Sequence, residues 1–394
     1  MLPTGPRQRR SMSRIRLEHW SYDHPANPWL GGGGAYRDWT LLQSLDEKWS
    51  TNYVAASFEG VEERKAAWPG TVWIGGGNTP GSARFNWIRG IRNHLRQLQH
   101  NGNMPDLITS SPSVLAPTPC LRHHLKRTIL VIHHLVGWNA WRNVGPLAPF
   151  CMAYEQGIVR RGLHYIVVNR KVEARIRLLN PRARVMRIPN GIDRTLLATA
   201  RHPAPEPLVV FMGRLDLEMK GIDRLLDAFT EVRRRVPGVR LEMAGRGSIS
   251  DVKNLGRLIA NHPDRDAICL RLNISEAQKA ELLGRAWVFA TPSRFEGWCI
   301  AAVEAQACRV PVVATTADGF LDSVPDGQAG ILVPNQEGSV RADLANAIVT
   351  LLNDDARRHA MGEVAHAWAS RHTWDQLARQ YEEFLLETLE ISRR

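Results

Sequence analysis

The segment Thr291-Pro-Ser-Arg-Phe-Glu-Gly-Trp-Cys-Ile-Ala-Ala-Val-Glu304 leaves a short apolar strand, turns at a glycine and enters a helix of small residues. It sets Glu296 and Glu304 eight positions apart. In open α/β sheets such a strand-to-helix turn binds phosphate-bearing ligands, because the helix N-terminus presents unpaired N–H groups. This reading puts Glu296 at the mouth of the helix and Glu304 about two turns inside, roughly 10 Å further along the axis. Carboxylates at two such heights suit a long ligand with hydroxyl-rich ends and a diphosphate between them. The helix neighbours of Glu304 are Ile300, Ala301, Ala302, Val303, Ala305 and Ala307. A carboxylate on so apolar a helix needs a partner, because its desolvation is otherwise costly. Gly297 is expected to open backbone N–H groups to the ligand. Taken alone, Glu296 also reads as an acid placed favourably at a helix N-terminus, and Glu304 as a surface residue.

On either side of this segment, short apolar strands alternate with helical patterns, the signature of βαβ units and parallel sheets. The first half predicts strands at 13–21, 53–58, 71–74, 107–109, 128–133, 165–169 and 185–188. Helices are predicted at 35–48 and 83–100. A break follows at Pro189-Asn-Gly-Ile-Asp193, then a proline-rich stretch, Ala200-Arg-His-Pro-Ala-Pro-Glu-Pro207, that reads as a linker. The pattern restarts with strands at 208–212, 240–244, 268–272, 287–290, 312–314 and 331–333, and residues 342–391 read as helical. Two such halves imply a cleft. The expected division is 13–193, a linker at 194–207, 208–372, and a last helix, 373–394, that crosses back to the first half.

The strand 208–212 runs into Gly213-Arg214-Leu215, and Lys220-Gly221 precedes the helix 222–235. Gly213 lets the backbone approach a ligand closely. Arg214 offers a bidentate grip on phosphate oxygens and Lys220 a compact charge. Without their surroundings, these two cations read as solvated surface. In the first half, Gly31-Gly-Gly-Gly34 follows the first strand and opens a helix. Its N–H groups give an anion a path to the backbone, although a flexible loop reads the same way.

The chain has 394 residues, of which 44% are apolar and 23% charged, a globular composition with room for two or three domains. No apolar run approaches the ~20 residues that cross a bilayer. The arginine-bearing N-terminus lacks the apolar core of a secretory signal. Both Met1 and Met12 read as possible starts. Five scattered cysteines without a Cys-x-x-Cys pair point to reduced thiols, hence a cytoplasmic setting, and away from zinc. The net charge of +12 fits an anionic substrate or an anionic membrane surface. It is dispersed, and no RNP, KH or zinc-finger pattern accompanies it, so no nucleic-acid partner is expected.

Together, Gly-Arg-Leu followed by Lys-Gly, the two glutamates with Pro292-Ser293 before them, and the Pro-Asn-Gly-Ile-Asp break resemble glycosyltransferase family 4. These are retaining enzymes of the GT-B fold that use nucleotide sugars. The resemblance runs in order over nearly the whole chain and is strongest from Arg187 to Pro334. It implies two Rossmann-like α/β domains facing across a cleft, with C-terminal helices. It implies that Arg214 and Lys220 hold the donor diphosphate beside Gly213. Glu296, with the backbone of Gly297, Trp298 and Cys299, would hold the donor sugar, and Glu304 the ribose. Gly32, Gly33 and Gly34 match the family's glycine-rich first loop, near the phosphates and the acceptor. The family places a histidine at the end of the strand 128–133, facing the donor sugar. Aligning the apolar run favours His133 over His134, and because successive strand residues face opposite ways only one of the two is expected to face the cleft. Asn190, in the break, is a further candidate. One departure stands out: Asp318-Gly319 followed by Asp322 replaces the commoner Gly-Gly-x-x-Glu.

The resemblance implies sugar transfer from a UDP- or GDP-linked donor to a hydroxyl of a glycan, lipid-linked or small-molecule acceptor. No cofactor is expected. No Asp-x-Asp follows a strand, and two cations can stand in for a metal, so metal independence is expected. A same-fold epimerase and a catalytically silent sugar-nucleotide binder are the alternatives. The acceptor side is read less directly. The first half holds nine of the 13 tryptophans, including Trp29, Trp39, Trp73, Trp87, Trp138 and Trp141, whose faces suit sugar or lipid as well as core. Helix 84–100 sets Ile88, Ile91, Leu95 and Leu98 on one face beside Arg89, Arg92 and Arg96. That pattern fits a peripheral contact with anionic lipid, but a half-buried helix with a solvated basic edge is the preferred reading.

Overall fold

The computed structural model describes residues 14–27, 32–64, 67–137, 141 and 145–394. Met12, Ser13, Trp29, Gly31 and Trp138 lie outside the described residues. Seven strands form one sheet: β1 (Ile15–Ser21), β2 (Trp49–Ala56), β3 (Thr71–Ile74), β4 (Leu107–Ser111), β5 (Thr128–Ile132), β6 (His164–Val167) and β7 (Arg184–Arg187). Six form another: β8 (Leu208–Arg214), β9 (Arg240–Arg246), β10 (Ile268–Leu272), β11 (Val288–Thr291), β12 (Val312–Thr315) and β13 (Gly330–Val333). Every pairing is parallel, in the orders β3-β2-β1-β4-β5-β6-β7 and β10-β9-β8-β11-β12-β13. These are the two Rossmann-like sheets of a GT-B architecture.

Helices cover both faces of each sheet, so the strands read as continuous apolar runs: Val209, Val210 and Phe211 are all fully buried. Strand ends shift from the sequence reading. β2 starts at Trp49 rather than Tyr53 because it pairs with β1 from Ile15↔Trp49 onward. β5 stops at Ile132, which leaves His133 just beyond the last paired residue. In each sheet the strand order reverses beside the first strand, between β1 and β4 and between β8 and β11. A crevice opens at the carboxyl ends of strands at such points.

The crossing between the halves is tightly bonded. Ile192 pairs with Thr373, and the Trp374 amide donates to the Ile192 carbonyl at 3.1 Å. A Cβ on Gly191 would lie 2.7 Å from the Trp374 ring, so only glycine fits there. The proline-rich stretch is not a free spacer. Arg201 donates to the Ala286 carbonyl at 2.6 Å, and Trp287 Nε1 to the Ala204 carbonyl at 2.9 Å. The last helix, Trp374–Arg393, lays Trp374, Leu377, Tyr381, Phe384 and Leu385 against Leu17, Leu41 and Ile166 of the first half. Each such burial contributes about 1.5–3 kcal/mol.

The helix Pro80–His100 is half-buried with a basic outer edge, the preferred of the two sequence readings. Ile91 and Leu95 are buried, and Ile88 and Leu98 pack on the same cluster around Trp20 and Trp87. Its apolar face is therefore part of the core, while Phe85, Arg89, Arg92 and Arg96 are exposed, as are Asn93, Gln97, Gln99 and His100. Among the tryptophans, Trp87 is fully buried, Trp39 and Trp73 pack around His24, and Trp141 is exposed. No helix among the described residues is long and apolar enough to cross a membrane.

Candidate active site

The wall formed by the second half is built on close backbone approach. Gly221 has φ +65°, and a Cβ there would fall 2.0 Å from the Pro292 carbonyl oxygen. Only glycine permits that contact, which brings the Lys220 turn onto the Glu296 loop. Lys220 Nζ then donates to Glu296 Oε2 at 2.6 Å. Burial alone would pull the Lys220 ammonium down, but the charges of Glu296 and Cys299 outweigh it and hold its pKa raised. Cys299, buried, sits at φ +75° just before the helix Ile300–Ala307. A non-glycine residue in the left-handed region costs of order 1–3 kcal/mol and marks a strained loop.

That strain corrects the position of Glu304. The helix begins only at Ile300, so Glu304 is its fifth residue, little more than one turn inside. Residues 296–299 stay outside the helix because Cys299 is left-handed. The partner that Glu304 requires is Lys279, on the helix Glu276–Arg285, at 2.6 Å; Glu276 shares that ammonium at 2.5 Å. Burial pushes the Glu304 carboxyl up against the pull of Lys279. The Lys279 ammonium, flanked by two carboxylates, is held raised despite its own burial.

The opposite wall is centred on Asp38, in the helix Gly33–Gln43, with its side chain 2% exposed. His133 Nε2 donates to Asp38 Oδ2 at 3.0 Å, and Arg37 Nη1 to Oδ1 at 2.9 Å. Ser111, at the end of β4, also donates to Asp38, and His19 Nε2 lies 3.4 Å away. Burial would lift the Asp38 carboxyl, but His133 and His19 hold it well below the usual carboxylate range. The His133 ring lies under the glycine-rich loop, where a Cβ on Gly34 would sit 3.2 Å from it. Neither Asp38 nor its partners other than His133 stood out in the sequence.

Between these walls the predicted residues converge. The charge of Arg214 acts on both Asp23 and His134 of the first half. Burial pushes the Asp23 carboxyl up to about 6, although N–H donors of His24 and Gly32 and the charges of Arg214 and His133 pull it down. His134 and Glu296 line one cavity of about 400 Å³ with Leu135, Val172 and Asp318. Burial, with the charge of His133, lowers the His134 pKa. The expectation that only one histidine reaches the cleft is corrected: β5 ends at Ile132, so strand alternation no longer governs. His133 borders the cleft through its carbonyl, 2.7 Å from where a Gly297 Cβ would be, and His134 through its lining position. Gly297 is therefore needed for contact between the halves, and its carbonyl accepts from Asn169 Nδ2 at 2.8 Å. Gly33 meets Ile300 across the gap, and Tyr36 lies in the field of Glu276 and Glu304. Asn190 is buried in the crossing segment, its Oδ1 without a hydrogen-bond partner. The Trp298 ring packs on Trp368, toward the back of the loop.

The departure at Asp318 and Asp322 acquires a use. Arg170 donates to Asp322 through its backbone N–H at 2.6 Å and through its side chain, and Lys171 Nζ donates to Asp318 at 2.7 Å. With Asn169, three consecutive residues latch the halves together. Among the described residues no cluster of three or more His, Cys, Asp or Glu side chains is arranged to hold a metal.

Two family models match in tandem: Glycosyltransferase Family 4 over residues 31–196 and Glycosyl transferases group 1 over residues 194–368. A phosphatidyl-myo-inositol mannosyltransferase of Mycobacterium tuberculosis is 32% identical over 201 residues, 49% of this chain and 51% of its own length. A D-inositol 3-phosphate glycosyltransferase of Paenarthrobacter aurescens is 34% identical over 172 residues, 43% and 41% of the two chains. The match thus spans about half the length of these curated relatives. Sucrose-phosphate synthase from Thermosynechococcus elongatus has the same fold, with a TM-score of 0.78, 20% identity and coverage of 95% and 99%. The Anabaena protein HepE, solved in complex with UDP, gives 0.71 at 18% identity, with coverage of 95% and 100%.

Proposed function

The chain belongs to glycosyltransferase family 4, and on that premise we propose that it moves a sugar, with retention, from a nucleotide-diphosphate sugar to an acceptor hydroxyl. The observation that carries this reading is the row of charges on the second wall: Lys220 with Glu296, Lys279 with Glu304, and Arg214 facing Asp23 and His134 across the gap.

In this proposal the donor diphosphate takes Lys220 from Glu296 and draws in Arg214. Glu296, released from its cation, accepts hydrogen bonds from the sugar hydroxyls, and Glu304 does the same for the ribose. Negative charge grows on the leaving diphosphate as the glycosidic bond breaks. Arg214, Lys220 and the free N–H groups before Ile300 stabilise it there, a role worth ~100- to 1000-fold in rate per donor. The acceptor attacks from the side the diphosphate leaves, and a phosphate oxygen takes its proton. Two cations supply the charge a metal would otherwise bring, so transfer proceeds without one. The latch through Asn169, Arg170 and Lys171 limits water in the closed cleft, which suppresses donor hydrolysis.

The donor is UDP- or GDP-linked in this reading, and the acceptor meets the first wall near His133, His134 and Asp23. The names of the relatives supply the first acceptors to try, inositol phosphate and phosphatidylinositol. Peripheral contact with anionic lipid would use the exposed Arg89, Arg92, Arg96 and Phe85. The deciding experiment is a thermal-shift panel of nucleoside diphosphates and nucleotide sugars, followed by product analysis with the stabilising donor. Stabilisation with transfer supports the proposal. Stabilisation with neither transfer nor hydrolysis indicates a silent binder, and conversion of the donor without acceptor indicates an epimerase.

A further inference from the structure

Where the chain crosses between the halves lies a second cavity, of about 320 Å³, on the far side of the Glu296–Cys299 loop. It takes Arg170 and Arg187 from the first half, Trp298 and Trp368 from the second, and Arg371 and His372 from the crossing segment. Three guanidiniums face one lining carboxylate, Asp322, which Arg170 already holds through both its backbone and its side chain. The acid nearest Arg187 is Glu173, at 3.7 Å, too long for a hydrogen bond. Arg371 makes no ion pair among the described residues. The cavity therefore holds two cations whose donors lack close acceptors.

Its floor is aromatic. Trp368 and His372 stack with ring centroids 4.0 Å apart, and Trp298 stacks on Trp368 at 6.3 Å. Trp298 is 4% exposed, and its indole Nε1 is buried with no hydrogen-bond partner. A buried N–H without an acceptor is costly, and an anionic oxygen would relieve it. Guanidiniums bind phosphate in bidentate fashion, and flat rings suit the C–H face of a sugar.

We propose that this cavity binds a small sugar phosphate, its phosphate held by Arg187 and Arg371 and its ring lying against Trp368 and His372. The site is separate from the Lys220 turn. Because its walls come from both halves and the crossing, a bound ligand favours the relative position of the halves seen here. Trp298 is continuous with Glu296 and Gly297, so the same ligand tightens donor binding, and by linkage the donor tightens it. That coupling, unlike the site itself, rests on the proposed donor reading.

Calorimetry on the full chain, at constant ionic strength, tests the site with glucose 1-phosphate and inorganic phosphate as probes. Glucose 1-phosphate should bind the wild type and the Arg214→Ala/Lys220→Ala variant alike. The Arg187→Gln/Arg371→Gln variant should bind it about 100-fold more weakly, and Trp298→Phe, which removes the indole N–H, about tenfold more weakly. Both arginines are exposed, so their replacement leaves the fold intact, which the melting curve checks. Weaker binding of inorganic phosphate supports the aromatic floor, and equal binding removes that floor from the site. No heat from the wild type at millimolar probe overturns the proposal. So does binding that is lost in Arg214→Ala/Lys220→Ala and kept in Arg187→Gln/Arg371→Gln, because the probe then sits at the donor turn.

Discussion

On the second wall, charge is held in pairs that bridge neighbouring elements, Lys220 to Glu296 and Lys279 to Glu304, with side chains 11–22% exposed. On the first wall it is gathered on one carboxylate, Asp38, at 2% exposure and shared among His133, His19, Arg37 and Ser111. Solvent-reachable pairs can exchange one partner for a ligand at modest cost. A buried hub cannot, because each of its members would be left uncompensated in a low dielectric. The difference divides the labour: one wall binds by exchange, and the other holds its histidine still.

The largest effect should come from breaking the exchange. Lys220→Ala is expected to lower kcat ~100- to 1000-fold, read as initial rate with the donor found in the thermal-shift panel. An unchanged rate would remove Lys220 from the diphosphate site. Next comes the hub. Asp38→Ala should cost about 3–5 kcal/mol in denaturant unfolding, because Arg37 loses its buried counter-charge. Asp38→Asn keeps the shape and should lower kcat by about 100-fold with little change in KM. Full activity in Asp38→Asn would make the hub purely architectural and end the contrast between the walls.

The two glutamates sharpen the comparison within the second wall. Glu304→Ala should weaken free nucleoside diphosphate about tenfold, by loss of hydrogen bonds to a charged group. Glu296→Ala should spare that affinity and lower turnover instead. Titration of both variants with nucleotide and intact donor tells them apart, and equal affinities for every form would count against the assignment.

Asp23 probes the first wall by pH. Its folded pKa, pushed up to about 6, lies above its ordinary value of 3.8. The protonated form is favoured on folding, so its contribution is complete below about pH 4 and fades as pH rises through 6. Asp23→Asn should therefore gain stability relative to wild type between pH 4 and 7, by about 1–3 kcal/mol. A difference in melting temperature that does not vary with pH would refute this. The smallest effect is expected at the latch: the Arg170 side chain is 71% exposed, so Arg170→Ala should change unfolding free energy by about 1 kcal/mol or less.

Much of this protein is legible along the chain. Alternating apolar strands and helical patterns name both sheets, because parallel strands buried on two faces leave short apolar runs whatever their partners. The donor wall is legible for a related reason: Gly213, Arg214, Lys220, Glu296 and Glu304 each sit at a local strand-to-helix turn whose chemistry shows in a few residues. Lys279 was foreseen only as a need, since nothing local marks which lysine meets Glu304. The helix start at Ile300 was misread because the left-handed turn at Cys299 carries no glycine to announce it.

The first wall is a product of folding. Asp38 and His133 are 95 positions apart and Asp38 and Ser111 are 73, distances over which neither period nor spacing survives. Asp322 reads as an altered motif until Arg170, 152 positions away, closes on it. The apolar stripe of helix 84–100 looks the same facing lipid or core, and only the sheet beneath it settles which. Local chemistry follows from local sequence, but a buried network, a latch and the covered face of a helix depend on which distant surfaces packing brings together.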